Sequence, residues 1–166
     1  MLNDLGNDAD RLAGEIVAWR RHLHRHPELG FDEHGTAAFV AKRLRDLGIE
    51  TRTGIAGTGV LGRIPAQRPS LSAVLLRADM DALPIDEVPG REYGSESPGR
   101  MHACGHDGHV AMLLGAAALL GARRGALRRD VALCFQPAEE GEGGARAMIE
   151  EGVLRDTGAG SAYALH

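Results

Sequence analysis

Three short apolar runs in this chain each stop at acids or a histidine, and that repeated arrangement restricts the fold more than any other feature. The runs are 71–78, followed by Asp79 and Asp81; 131–135, followed by Glu139 and Glu140; and 161–166, which ends on His166. Aliphatic runs of this length bounded by Gly, Pro and Ser read as strands, and the first is apolar enough for a buried central position. Between the first two lies 107–120, apolar on nearly every side (Val110, Met112, Leu113, Leu114, Leu119), as expected of a helix buried between layers, with Asp107 placed to cap it. A polar loop at 136–144 and a helix at 145–151 connect the second run to the third. Strand, helix and strand in that order make parallel βαβ units. The polar clusters then fall at the carboxyl ends of the strands, the edge where open α/β sheets form their sites.

Upstream, Leu12, Ile16, Trp19 and Leu23 recur at helical spacing until His26-Pro27, where proline disfavours helical dihedrals for the residue before it. A second helix is predicted over 33–47, with Val40, Leu44 and Leu47 on one face and Gly48 ending it. A strand over 58–64 is expected to pair with 71–78 in one sheet. The stretch 79–106, rich in Asp, Pro, Gly and Ser, has the length of a functional loop. No repeat or linker divides the 166 residues, and 43% hydrophobic with 25% charged content supports one α/β layer structure. A net charge of −4 with scattered arginines offers no basic field for nucleic acid. The polar, acidic N-terminus and the lack of a long apolar run point to a cytoplasmic protein with no membrane association.

Histidine is the unusual residue: there are eight, several beside Asp, Glu or Cys. Met101-His-Ala-Cys-Gly-His-Asp-Gly-His places Cys104 and His106 two apart around a glycine, so one turn can aim a thiolate and an imidazole at one ion, a pairing suited to zinc. A buried small cysteine among solvated histidines is the alternative, and it is weakened by so many ligand types in one turn. His102 and His109 are weaker candidates, read as outer partners of a metal centre or helix-start residues. Glu139 and Glu140 leave a buried strand next to each other. One can bind metal while its neighbour faces water as a general base. The alternative, acids favouring a helix N-terminus, suits Glu142 better. Asp79 and Asp81 could bind metal, orient a ligand histidine or simply form a turn. His22, His24 and His26 close the first helix, where a structural role is favoured. Cys104 and Cys134 form no Cys-x-x-Cys pair and support no disulfide framework.

Taken together, Trp19-Arg-Arg-His-Leu-His with Pro27-Glu-Leu-Gly-Phe, Arg77-Ala-Asp-Met-Asp-Ala-Leu-Pro, the 101–109 run and Phe135-Gln-Pro-Ala-Glu-Glu-Gly resemble the aminoacylase and carboxypeptidase family of metallopeptidases. The likeness is to its amidohydrolase branch, which includes hippurate hydrolases, N-acyl-amino-acid amidohydrolases and indole-acetyl-amino-acid hydrolases. It implies a zinc-exopeptidase-like fold: a three-layer α/β domain, incomplete here, with a mostly parallel central sheet and helices on both faces. Two divalent ions per complete site are implied, zinc or manganese, with cobalt and nickel also open. By position, Cys104, His106, Glu140 and His166 match metal ligands, Glu139 the general base and Asp81 the aspartate supporting the metals. Asp79 stands where other branches place a ligand histidine. The implied reaction is hydrolysis of the amide bond of an N-acyl amino acid, hippurate-like, to a carboxylic acid and an amino acid.

The same resemblance implies that residues 1–166 are the N-terminal part of the catalytic domain, with a lid that makes a homodimer, the remaining strands and a final ligand histidine lying outside them. On that ground 1–166 alone is expected to be an inactive fragment. Two other readings remain: a non-catalytic metal-binding module, since four mixed ligands suffice for one tetrahedral ion, and an interaction domain that kept the scaffold and lost activity.

Overall fold

The centre of the fold is the strand with no polar position until its last residue. In this computed structural model, which describes residues 2–67, 69, 71–141 and 143–166, β4 (Val131–Gln136) is buried at every position. Its two faces feed different cores. Val131, Leu133 and Phe135 pack with α2 (His34–Asp46) and α3 (His106–Ala122), while Ala132 and Cys134 pack with Met148 and Val153 of α4 (Gly144–Glu150) and α5 (Val153–Thr157). Alternation along one strand therefore produces helices on both faces of the sheet. Helix α1 (Leu2–Arg25) lies against α3 and brings Trp19 and Leu23 into the larger core. That placement explains why α3 is apolar nearly all round: it is held between α1 and the sheet.

The sheet has the order β1-β2-β4-β3-β5, with β1 at Glu50–Ile55, β2 at Gly59–Ile64, β3 at Ala73–Asp79 and β5 at Ala159–Ala164. Pairings β3–β4 and β3–β5 are parallel, while β1–β2 and β2–β4 are antiparallel. The sheet is thus mixed, with β2 alone running against the other four strands. The expected partner of β2 is also displaced. It pairs with β4 and not with β3, because the crossover through α3 sets β4 between them. Strand β1 and helix α5 were not anticipated. Glu50–Ile55 is a polar edge strand that shows no buried alternation, and Val153–Thr157 is little more than one turn. Helix α2 starts one residue later than predicted, and its first amides, of Gly35 and Thr36, donate to the Glu28 carboxylate. No helix among the described residues is long and apolar enough to cross a membrane.

Topology places the site. From β3 the chain crosses through α3 to β4 on one side; from β4 it crosses by way of α4 and α5 to β5 on the other side of β3. The two loops leaving the paired ends Asp79 and Gln136 therefore part in opposite directions, opening the crevice in which doubly wound sheets bind ligands.

The two sheet edges differ. Edge β1 carries Glu50 and Arg52, charges that discourage further pairing, whereas β5 exposes Tyr163 (63%) and is followed by Leu165 (62%). Residues 1–166 expressed by themselves are expected to self-associate through β5, and Tyr163→Lys to reduce that association. Sedimentation velocity checks this; a wild-type segment that stays monomeric at high concentration contradicts it.

Candidate metal centre

Gly105 makes the turn that the Cys-Gly-His spacing requires. At φ 86° it occupies the left-handed region open to glycine, directly before α3. His106 is consequently the first helical residue and is fully buried, while Cys104 stays exposed. The helix start has no side-chain cap: Asp107, expected there, is buried instead, accepting from Arg20 Nε (3.2 Å) and pairing with His24 Nδ1 (2.9 Å), so it ties α3 to α1. His24 also reaches Glu87 Oε1 at 3.1 Å, consistent with a structural role for this histidine.

His106 is presented to the crevice in a defined tautomer. Its Nδ1 lies 2.8 Å from the backbone carbonyl of Asp81, which can only accept, so the ring proton sits on Nδ1. Nε2 is left buried with no hydrogen-bond partner. Three carboxylates surround it: Asp79 Oδ2 at 3.5 Å, Glu140 Oε1 at 3.8 Å and Glu139 Oε2 at 3.9 Å. Burial opposes an imidazolium here, but the Asp81 and Asp79 charges outweigh it and raise the His106 pKa. An orphaned lone pair facing three carboxylates calls for a cation, and the donor set fits a divalent metal.

Two groups of donor atoms meet at His106. Cys104, His106 and Glu140 form one, and Asp79, His106, His109 and His166 the other, with all donors in each within 4.8 Å of one another. The structure therefore brings together the four residues proposed as ligands, His166 through the second group. Asp79 is a hub: Oδ1 accepts from His109 Nδ1 at 2.6 Å, and Oδ2 from Arg77 Nη1 at 2.7 Å and His166 Nδ1 at 3.0 Å. Burial works to raise its pKa, but His109, His106, Arg77 and His166 hold it low. Asp79 thus holds the His109 and His166 imidazoles together with the Arg77 guanidinium. His109 stands in the second group, three residues past His106 on the same helix face, a spacing visible in the sequence. His102 belongs to neither group. It is buried, neither ring nitrogen has a partner, and its pKa is lowered to about 4, chiefly by burial.

Asp81 and Glu33 hold the acidic loop. Asp81 Oδ2 accepts the Glu140 amide at 2.9 Å and Oδ1 lies 3.3 Å from His106 Nδ1; burial would raise its pKa, but these contacts keep it lowered. Glu33, beyond its place at the start of α2, was missed as a site residue. It is fully buried and bonded to Ala138, 105 positions away. Gly144 completes the loop, because a Cβ there would lie 1.8 Å from the Pro137 carbonyl oxygen. Glu142 lies outside the described residues. The Cys104 thiol is pushed up to about 11, first by the neighbouring Glu140 carboxylate and then by burial. It is therefore protonated at neutral pH, and a metal must displace that proton to bind thiolate.

Fold and site together define an α/β domain with a candidate metal centre at the switch point of its sheet. Residues 75–166 match the profile described as Peptidase family M20/M25/M40, and the chain belongs to that family. It is 46% identical over 157 residues to thermostable carboxypeptidase 2 of Saccharolobus solfataricus, across 93% of this chain and 40% of that protein. It is 47% identical over 146 residues to an N-acyl-L-amino acid amidohydrolase of Geobacillus stearothermophilus, across 87% and 39%. The crystal structure of the Bacillus subtilis YXEP protein, described as a dinuclear metal binding peptidase from the M20 family, superposes with a TM-score of 0.89 at 39% identity, over 95% of this chain and 44% of that one. The chain spans about 40% of the length of these curated relatives.

Proposed function

We propose that residues 1–166 are the N-terminal part of a dinuclear-metal catalytic domain whose complete enzyme hydrolyses the amide bond of N-acyl amino acids. The observation that carries this is the buried, unpartnered Nε2 of His106, a residue that belongs to two groups of potential metal donors, with the Glu139 carboxylate 3.9 Å away. In this reading Cys104, His106, Glu140 and His166 hold divalent ions, zinc or manganese, and Asp79 and His109 complete their surroundings. Ions held there supply Lewis acidity, which makes water a nucleophile near neutral pH and stabilises oxyanion charge.

The chain's own residues do the rest. Glu139, with its side chain 28% exposed, faces the crevice and takes a proton from the attacking water. As the water oxygen bonds to the acyl carbon and the C–N bond breaks, Glu139 returns that proton to the leaving nitrogen. Asp81 keeps the His106 imidazole and the Glu140 backbone in place. A carboxylic acid and an amino acid leave. The likeness to the amidohydrolase branch also supports a homodimer formed through a lid outside residues 1–166. It favours N-acyl amino acids, hippurate among them, over peptides, while the carboxypeptidase relative keeps peptides as the competing substrate class.

The test is product analysis. Expressed from its full open reading frame and loaded with zinc or manganese, the protein is expected to release amino acid faster from hippurate and N-acetyl amino acids than from dipeptides. Cleavage of dipeptides alone would move the substrate to the peptide class. Metal uptake with no hydrolysis of either would favour the non-catalytic metal-binding module.

A further inference from the structure

The loop bearing Glu139 and Glu140 begins with an alanine in a conformation that alanine disfavours. Ala138 has φ 50°, in the left-handed region, and is completely buried. Its amide donates to Glu33 Oε1 at 2.8 Å, while Glu33 Oε2 accepts from Thr58 Oγ1 at 2.5 Å. Both acceptor oxygens of a buried carboxylate are thus committed, one to a neighbouring strand connection and one to the residue before Glu139. Two residues further along the same loop, the Glu140 amide donates to Asp81 Oδ2. The loop is gripped between two carboxylates, and only Asp81 is part of the metal centre.

We propose that Glu33 is a positioning residue, whose carboxylate holds Ala138 in its left-handed turn and thereby aims Glu139 and Glu140 at the crevice. Nothing else among the described residues accepts the Ala138 amide. Without that acceptor, the buried amide and the unfavourable φ both push the turn towards an extended path, which carries the two glutamates away from His106. Glutamine can replace the glutamate, because its carbonyl accepts from Ala138 and its amide donates to the Thr58 hydroxyl. Aspartate cannot, because the loss of one methylene withdraws the acceptor from Ala138.

The inference rests on the metal reading for one of its two measurements and is independent of it for the other. Zinc(II) affinity of the protein expressed from its full open reading frame is measured by chelator competition, and exchange of the Ala138 amide by nuclear magnetic resonance, for wild type, Glu33→Gln, Glu33→Asp and Glu33→Leu. Glu33→Asp and Glu33→Leu are expected to lose about 10- to 100-fold in zinc affinity, as removal of a group that orients a ligand does, with Ala138 exchange accelerated. Glu33→Gln is expected to match wild type in both. If Glu33→Leu does not fold, Glu33→Asp decides. A folded Glu33→Asp protein with wild-type zinc affinity and an Ala138 amide as protected as those of β4 overturns the proposal. Wild-type protein that takes up no zinc overturns the metal reading instead, and Ala138 exchange in Glu33→Asp then decides the role of Glu33.

Discussion

Glu139→Gln is expected to lower turnover of N-acyl amino acids by about 10²–10⁴-fold while leaving the metal content unchanged. Glutamine has nearly the same shape, so the loop that carries residue 139 keeps its anchors: Ala138 on Glu33, and the Glu140 amide on Asp81. What is lost is the ability to take a proton from water at neutral pH. The expected range corresponds to roughly 3–5 kcal/mol of barrier, a size that general-base loss explains and loss of one surface contact does not. Steady-state kinetics on the product of the full open reading frame, with metal analysis of the same samples, checks this. Wild-type turnover at normal metal occupancy would remove Glu139 from the chemistry. Parallel loss of metal and turnover would make residue 139 a ligand.

The second large effect concerns metal stoichiometry. His106 belongs to both donor groups and Cys104 to one. With its ring proton on Nδ1, His106 has one lone pair to give, on Nε2, so His106→Ala is expected to abolish binding of the ion it ligates, and Cys104→Ala to weaken one site far more than the other. The His106 loss should exceed the about 10- to 100-fold that follows removal of an outer hydrogen-bond partner, because an ion loses its ligand outright. Metal analysis after dialysis against a weak chelator, with circular dichroism to confirm folding, reads the outcome. A His106→Ala protein that retains both ions would show that the orphaned Nε2 is not a ligand. Equal metal content in Cys104→Ala and wild type would remove the thiol. A wild-type maximum of one ion would favour the non-catalytic module over the dinuclear hydrolase.

The pattern of the second prediction was only half legible beforehand. Cys104 and His106 stand two apart around a glycine, so their convergence on one point follows from local chain geometry. The sequence leaves Asp79 and His109 as lesser candidates, because their partnership spans 30 positions and depends on how α3 lies across the end of β3. His109 did carry a signal, its place one helical turn after His106. Glu33 carried none, since an acid at the start of a helix has an ordinary explanation in the helix dipole. A different ordinary explanation, side-chain capping, misled for Asp107, which is buried and tied to Arg20 and His24 of α1 instead of capping α3.

By itself the sequence determined the elements with strong periodicity or uninterrupted apolar character: α1, α2, α3 and the three strands that end in polar clusters. It also determined that those clusters lie at one edge, because parallel crossovers leave every carboxyl end on the same side. The tertiary structure alone decided that β2 pairs antiparallel with β4, that β1 closes one edge, and that a mixed sheet results. It alone decided which buried acids serve the site. The reason is physical: burial direction and strand class are written in local period, whereas strand order and side-chain partnership depend on which surfaces meet after long crossovers. Residues such as Glu33 and Ala138 therefore have no shared signature until the chain has folded.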